Sequence, residues 1–201
     1  MAITAATVAA STMVLLSGWL RYAAILGGFI PERFGDLVIP AELGAAVPAW
    51  ATPLSATLIH GGFGHLALNI AMLVYCGAFA EHGLGTRGIA VLYVVGAYAA
   101  ALGQWLLDGG GPMIGASGAI SAVVAAYALL HGQRRPVRAI GPVPGRVVQL
   151  LWLAAAWIGI QLLVGAIGLG GAEIAVGAHI GGFIAGLALT RPLLRWGRRG
   201  A

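Results

Sequence analysis

The chain has 201 residues, of which 60% are apolar and only 8% charged, and its mean hydropathy is +0.93. A soluble domain carries roughly 25% charged residues, so a water-surrounded core is excluded: too little polar surface exists to cover this much apolar surface. The net charge of +5 does not point to nucleic acid, because every basic residue is Arg and nearly all of them gather in short loops and at the C-terminal tail.

A bilayer core takes about 20 apolar residues per helix. Candidate spans lie at 3–30, 53–80, 88–107, 115–130, 147–167 and 174–194. They predict an all-α polytopic membrane protein, a six-transmembrane-helix bundle forming a single domain over 1–201, with no soluble appendage. The N-terminus lacks a basic leader, and its Ala-rich part precedes its most apolar part, so no cleavable signal is expected.

The first span is interrupted by Arg21, which must snorkel, face the bundle or mark a tilted helix. Pro31 to Asp36 ends it. The stretch to Trp50 is broken by Pro40, Gly44 and Pro48 and reads as an interfacial loop, with Trp50 as its anchor. The second span has a Gly61-Gly62 interruption and ends at Glu81-His82-Gly83; Cys76, the sole cysteine, reads as a small buried hydrophobe within it. The third stops at Asp108 to Pro112. A polar loop holding Arg134, Arg135 and Arg138 separates the fourth from the fifth, and a Gly-rich loop with Glu173 precedes the sixth.

Six spans put both termini on one side. That side carries Arg87, Arg134, Arg135, Arg138, Arg146, Arg191, Arg195, Arg198 and Arg199 against Glu81. The other carries Glu32, Asp36, Glu42, Asp108 and Glu173 against Arg33. Positive charge marks the cytoplasmic face, so both termini are expected there, in a bacterial inner membrane. The Gly115 end of the fourth span then faces outward.

Gly occurs 33 times, which in membrane helices indicates close packing through small residues. Gly118, Ala122 and Ala126 form one such face, and Ala178, Gly182 and Gly186 another. If these faces meet, Ser117 and His179 meet near the outer end.

A serine hydroxyl becomes a nucleophile only with a base and with donors for the oxyanion. His179 is the candidate base. His65 and Asn69 share a helix face four residues apart. The plainer alternatives are packing for Gly115-Ala116-Ser117-Gly118 and interhelical hydrogen bonding for His65, Asn69 and His179. His60, before Gly61-Gly62, is expected to tie the adjacent loop, and His82 and His131 to be solvated. The fourth span is short, so Ser117 should lie below the outer surface, with the 108–114 loop edging a water-filled cavity. No metal and no cofactor are expected.

Together, His60-Gly61-Gly62-Phe63-Gly64-His65 with Asn69, then Gly115-Ala116-Ser117-Gly118, then Ala178-His179-Ile180-Gly181-Gly182 with Gly186, resemble the rhomboid family of intramembrane serine proteases across nearly the whole chain. The resemblance implies a six-helix fold and cleavage of other transmembrane proteins near the outer face by a Ser–His dyad. It makes Ser117 the nucleophile and His179 the base, with His65, Asn69 and the Ser117 N–H binding the oxyanion. The partners are then transmembrane substrates and the bilayer, and not nucleic acid.

Two positions depart from the family. Trp50 is followed by Ala51, not by the Arg of a Trp-Arg pair that often anchors the first outer loop. Four residues after Ser117, where a Tyr often stacks on the base, stands Ser121; its hydroxyl either bonds the His179 ring or the residue merely packs. Two other functions compete: a catalytically silent relative that binds transmembrane helices, and a channel or transporter. The intact Ser and His argue against the first. The absence of acidic residues within the spans and of repeat symmetry argues against the second.

Overall fold

The computed structural model describes residues 2–107, 110–134, 137–166 and 175–197. Asp108, Arg135, Glu173, Arg198 and Arg199, used above in the charge split, lie outside these residues, as do the end of the fifth span and the start of the sixth. The described residues are helical, without strands apart from isolated bridges of Phe29 with Met113 and of Ile140 with Val143. The helices are α1 (Ala2–Leu16), α2 (Leu20–Gly27), α3 (Thr52–Ser55), α4 (Phe63–Leu107), α5 (Ser117–Arg134), α6 (Gly145–Ala166) and α7 (Val176–Gly197). Single 3₁₀ turns occupy Pro31–Phe34, Ala41–Leu43, Ala49–Ala51 and Ala56–Leu58.

The run 3–30 is not one helix. α1 stops at Leu16, Gly18 takes a φ of 71°, and the chain restarts as α2. A positive φ is open to glycine at no steric cost and ends the helix there. Arg21 therefore sits exposed on α2, outside any long helix, and needs no buried partner.

The run 53–80 is also redrawn. Its first part is α3 and a 3₁₀ turn, and the continuous helix begins only at Phe63. That helix runs through Glu81-His82-Gly83 and is broken only at Gly85 (φ 74°, ψ 164°). Gly85 turns α4 back on itself. Beside the turn, Gly83 meets Leu130 of α5 and Leu84 meets Gly197 of α7. At the far end, His65 of the first arm lies against Gly115, and Ala100 of the second against Gly118. Each arm has about 22 residues and rises about 33 Å, the thickness of a bilayer core.

α5 stands at the centre. From Ala116 to Ala128 every residue is buried, as expected of a helix that is small and apolar all round. Both arms of α4, together with α6 and α7, pack on it. The closest approaches to α4 and α7 are made at glycine. A Cβ at Gly182 would strike the Gly118 carbonyl, one at Gly186 the Ala122 carbonyl, and one at Gly96 would lie 2.7 Å from the Ala122 Cβ. Gly103 and Gly181 are pressed together in the same way between α4 and α7. His131, at the end of α5, is half-buried and stacks on Tyr127 with ring centroids 5.3 Å apart, so it is not the fully solvated residue expected.

These contacts give a contrast within one protein. Gly186→Ala puts its methyl 2.7 Å from both the Ala122 Cα and the Ala125 Cβ and should destabilise the fold by about 1–3 kcal/mol. Gly159→Ala on α6, with nothing within 4 Å, should be neutral or stabilising by up to about 1 kcal/mol. Thermal unfolding in detergent reads both; equal midpoints would show that the α5–α7 contact is not tight.

Candidate active site

Ser117 is the first residue of α5, and His179 lies in the first turn of α7. The glycine contacts draw these two helix ends together, and His179 Nε2 comes to 2.8 Å from Ser117 Oγ. Both side chains are buried, 8% and 4% exposed. The first N–H groups of α5 have no carbonyl within their own helix, and the positive end of its dipole favours negative charge at Ser117. The pair is thus arranged to move a proton from oxygen to nitrogen and to hold an anion beside it.

The backbone ahead of Ser117 is held by a hydrogen-bonded chain. Ala116 N–H donates to His60 Nε2 at 3.3 Å, His60 Nδ1 lies 2.8 Å from Ser11 Oγ, and the Ser11 hydroxyl donates to the Leu58 carbonyl at 2.7 Å. Since Ser11 uses its proton on Leu58 and Ala116 needs an acceptor at Nε2, the His60 proton must sit on Nδ1. His60 is fully buried, so α1 and α5 are joined through an imidazole of fixed tautomer. These bonds of His60 run to α1 and to Ala116 rather than to the adjacent Gly61-Gly62 turn, whose Gly61 N–H faces His65 instead.

Gly115 has a φ of 110°, and the His65 ring fills the space where its Cβ would stand, at 2.8 Å from Cε1 and 3.0 Å from Nε2. Gly61 N–H faces His65 Nδ1 at 3.4 Å, which leaves Nε2 to carry the proton beside the Gly115 turn. Asn69 is buried one helical turn on. Its amide donates to the His65 carbonyl at 2.9 Å, and its Oδ1 has no partner among the described residues. An amide nitrogen has a second hydrogen to give.

Ser121 does not bond the imidazole. Its hydroxyl donates to the Ser117 carbonyl at 2.8 Å and accepts from Trp157 Nε1–H at 2.6 Å. The side chain is pulled along the α5 backbone towards α6. The aromatic beside His179 is Trp157 itself, with ring centroids 6.2 Å apart. Sequence reasoning missed Trp157. The available signal was a Trp within an apolar span, whose N–H must find a partner when buried.

The loop after α2 is anchored without a Trp-Arg pair. Arg33 donates to the carbonyls of Val47 and Leu26 at 2.5 and 3.4 Å, Ser55 Oγ to that of Gly27 at 2.6 Å, and Tyr98 OH to that of Trp50 at 3.0 Å. Phe29 and Met113 exchange backbone hydrogen bonds and pack with Ala100, Ala101 and Ala178. The described part of the 108–114 loop is therefore pinned at Met113. Among the described residues no group of three His, Cys, Asp or Glu side chains converges as a metal site.

Comparison with known proteins gives a match to the Rhomboid domain family over residues 48–196. The chain is 32% identical over 138 residues to a protein named rhomboid protease GlpG from Yersinia pestis, covering 68% of this chain and 46% of that protein. To the proteins of the same name from Photorhabdus laumondii and an Enterobacter species it is 33% and 30% identical over 134 residues. These matches cover 66% of this chain, and 44% and 45% of those proteins. The chain spans about half the length of the curated relatives it matches.

The chain through His60 makes its own forecast. Ser11→Ala leaves the buried His60 Nδ1–H without an acceptor, and should cost about 1–3 kcal/mol of stability. Ser17→Ala, whose exposed hydroxyl only touches the Val14 carbonyl, serves as the control and should unfold like wild type. Matching midpoints for the two variants would refute the Ser11–His60 link.

Proposed function

The chain belongs to the rhomboid family, and from that premise we propose that it is an intramembrane serine endopeptidase, multi-pass in a bacterial inner membrane, that cuts transmembrane helices of other proteins near the outer face. The observation that carries the proposal is the 2.8 Å approach of His179 Nε2 to Ser117 Oγ. On this reading the six spans of one domain are α1, the two arms of α4, α5, α6 and α7, and the termini, on the Arg-rich side, face the cytoplasm.

As Ser117 Oγ attacks the scissile carbonyl, its proton passes to His179 Nε2. The carbonyl oxygen becomes an oxyanion, received by the Ser117 N–H, His65 Nε2–H and the free hydrogen of the Asn69 amide. Collapse breaks the C–N bond, and His179 returns the proton to the leaving amine. Water then attacks the acyl-Ser117 ester by the same route, with His179 again as base. Gly115 and Gly118 support this by letting His65 and Ala178 approach the nucleophile, and Gly182 and Gly186 by seating α7 on α5.

Ser117→Ala and His179→Ala should each remove labelling by a fluorophosphonate and cleavage of a model transmembrane substrate, with the fold intact. Folded Ser117→Ala protein that still cleaves would end the mechanism. A wild-type protein that folds but never labels would instead favour a silent relative.

His65→Ala and Asn69→Ala should each lower kcat about 10²–10³-fold with little change in KM. A change in melting temperature alone would reduce that residue to a packing role. A helix in lipid must unwind before its carbonyls can be reached, so Gly, Ala or Pro near the outer end of a substrate span should favour cutting. Mapping the cut by mass spectrometry to the cytoplasmic half would contradict both the site and the topology.

A further inference from the structure

A base must present one nitrogen to the nucleophile, and a buried imidazole can turn unless something holds it. On His179 only Nε2 is engaged, by Ser117 Oγ; Nδ1 is buried with no hydrogen-bond partner among the described residues. Beside the ring lies an apolar crevice between α6 and α7 with about 130 Å³ of room, lined by Ala154, Ile158, Phe183 and Ile184 together with Trp157 and His179. Neither the unpaired Nδ1 nor the crevice fixes the plane of the imidazole. What stands against it is the indole of Trp157, 2% exposed, tilted 58° to the imidazole with centroids 6.2 Å apart, within the range of favourable aromatic pairs.

The indole is itself locked. Its Nε1–H donates to Ser121 Oγ, and Ser121 donates to the carbonyl of Ser117. The wall beside the base is thus fixed to the backbone of the nucleophile, so the two reacting groups share one frame. A larger side chain at 121, which is fully buried with its Cβ 3.3 Å from the position a Cβ would take on Gly182, would occupy the place that the indole edge takes.

We propose that Trp157 is a positioning residue for the reaction: anchored through Ser121, it fixes the His179 imidazole with Nε2 on Ser117. This rests on the Ser117–His179 assignment above. Trp157 touches neither substrate nor the transferred proton; it acts through His179.

The test uses the full chain in detergent or bilayers, with fluorophosphonate labelling rate, kcat, KM and melting temperature measured for each variant. Labelling needs no transmembrane substrate, so it reports the dyad apart from substrate entry. Trp157→Leu keeps apolar bulk but loses the ring, and should slow labelling and kcat by about 10–100-fold with KM within about 2-fold. Trp157→Phe restores the ring without the N–H and should recover to within about 5-fold of wild type. Folded Trp157→Leu protein that labels at the wild-type rate overturns the proposal.

Should Trp157→Leu fail to fold, Trp157→Phe and Ser121→Ala decide. Both cut the same hydrogen bond, so each should slow labelling and the double variant should be no slower than either single one. Additive losses, or none, overturn the proposal. Absence of labelling in folded wild type overturns the Ser117–His179 assignment as well, whereas normal labelling of Trp157→Leu leaves that assignment standing.

Discussion

Everything at this site depends on how closely the backbones of α5 and α7 approach. Packed helices ordinarily lie 8–10 Å apart, at a spacing set by the side chains between them. Here Gly182 rests on the Gly118 carbonyl and Gly186 on that of Ala122, so nothing but hydrogen separates the two helices at those points. A serine and a histidine have short reach, and Ser117 and His179 are 62 residues apart. Glycine inside a helix costs up to about 1 kcal/mol relative to alanine. Backbone contact and the hydrogen bond it permits offset that cost. In lipid, where no hydrophobic force drives one helix onto another, such van der Waals contact is the main source of helix association.

Glycine packing fixes the distance between helices but not the path of the backbone leading to Ser117. That path is fixed by polar groups, buried like His60 or half-buried like Ser55 and Arg33, each with its partner. The His60 imidazole bridges α1 to Ala116, Ser55 and Arg33 fasten carbonyls from 26 to 47, and the Phe29–Met113 pairing joins the loop after α2 to the loop before α5. A buried donor or acceptor left unpaired costs about 1–3 kcal/mol, so these ties act as locks: the turn cannot shift without breaking several at once.

The placement of the long helices was legible in the sequence because apolar runs of bilayer length admit few other readings. The small-residue faces of α5 and α7 were legible too, since Gly118 and Ala122 against Gly182 and Gly186 repeat every four residues. What was not legible were the single residues that break helices and the partners across long sequence gaps. Gly18 and Gly85 are two of many glycines, and only their φ of 71° and 74° sets them apart from glycines that merely pack. Ser11 with His60, and Ser121 with Trp157, are pairs 49 and 36 residues apart, and neither carries a local pattern. In the sequence Ser121 offers only its helical phase and the Tyr that often stands at its place in the family. Phase placed it on the right helix face but did not reveal that an indole from α6 would compete for its hydroxyl.

The proposed pair of Ser117 and His179 has no carboxylate on the far side of the ring among the described residues, and burial gives a physical reason for that. In a soluble hydrolase a buried carboxylate orients the imidazole and steadies its charge. A carboxylate beside His179 would have to be desolvated within a span, at a cost of several kcal/mol. Among the described residues Nδ1 has no partner, and the ring is surrounded instead by fixed neighbours: the Gly177–Gly103 backbone contact before it, the Gly181–Ala99 contact after it, and Trp157 against it. One unpaired N–H costs less than one unpaired charge. Asn69 Oδ1 is unpaired as well, so two of the buried polar atoms lacking a partner belong to the site itself. Unsatisfied polarity is tolerated there because the neighbouring helices already determine the geometry, and in the proposed reaction the groups that are unsatisfied at rest would be free to respond as charge develops.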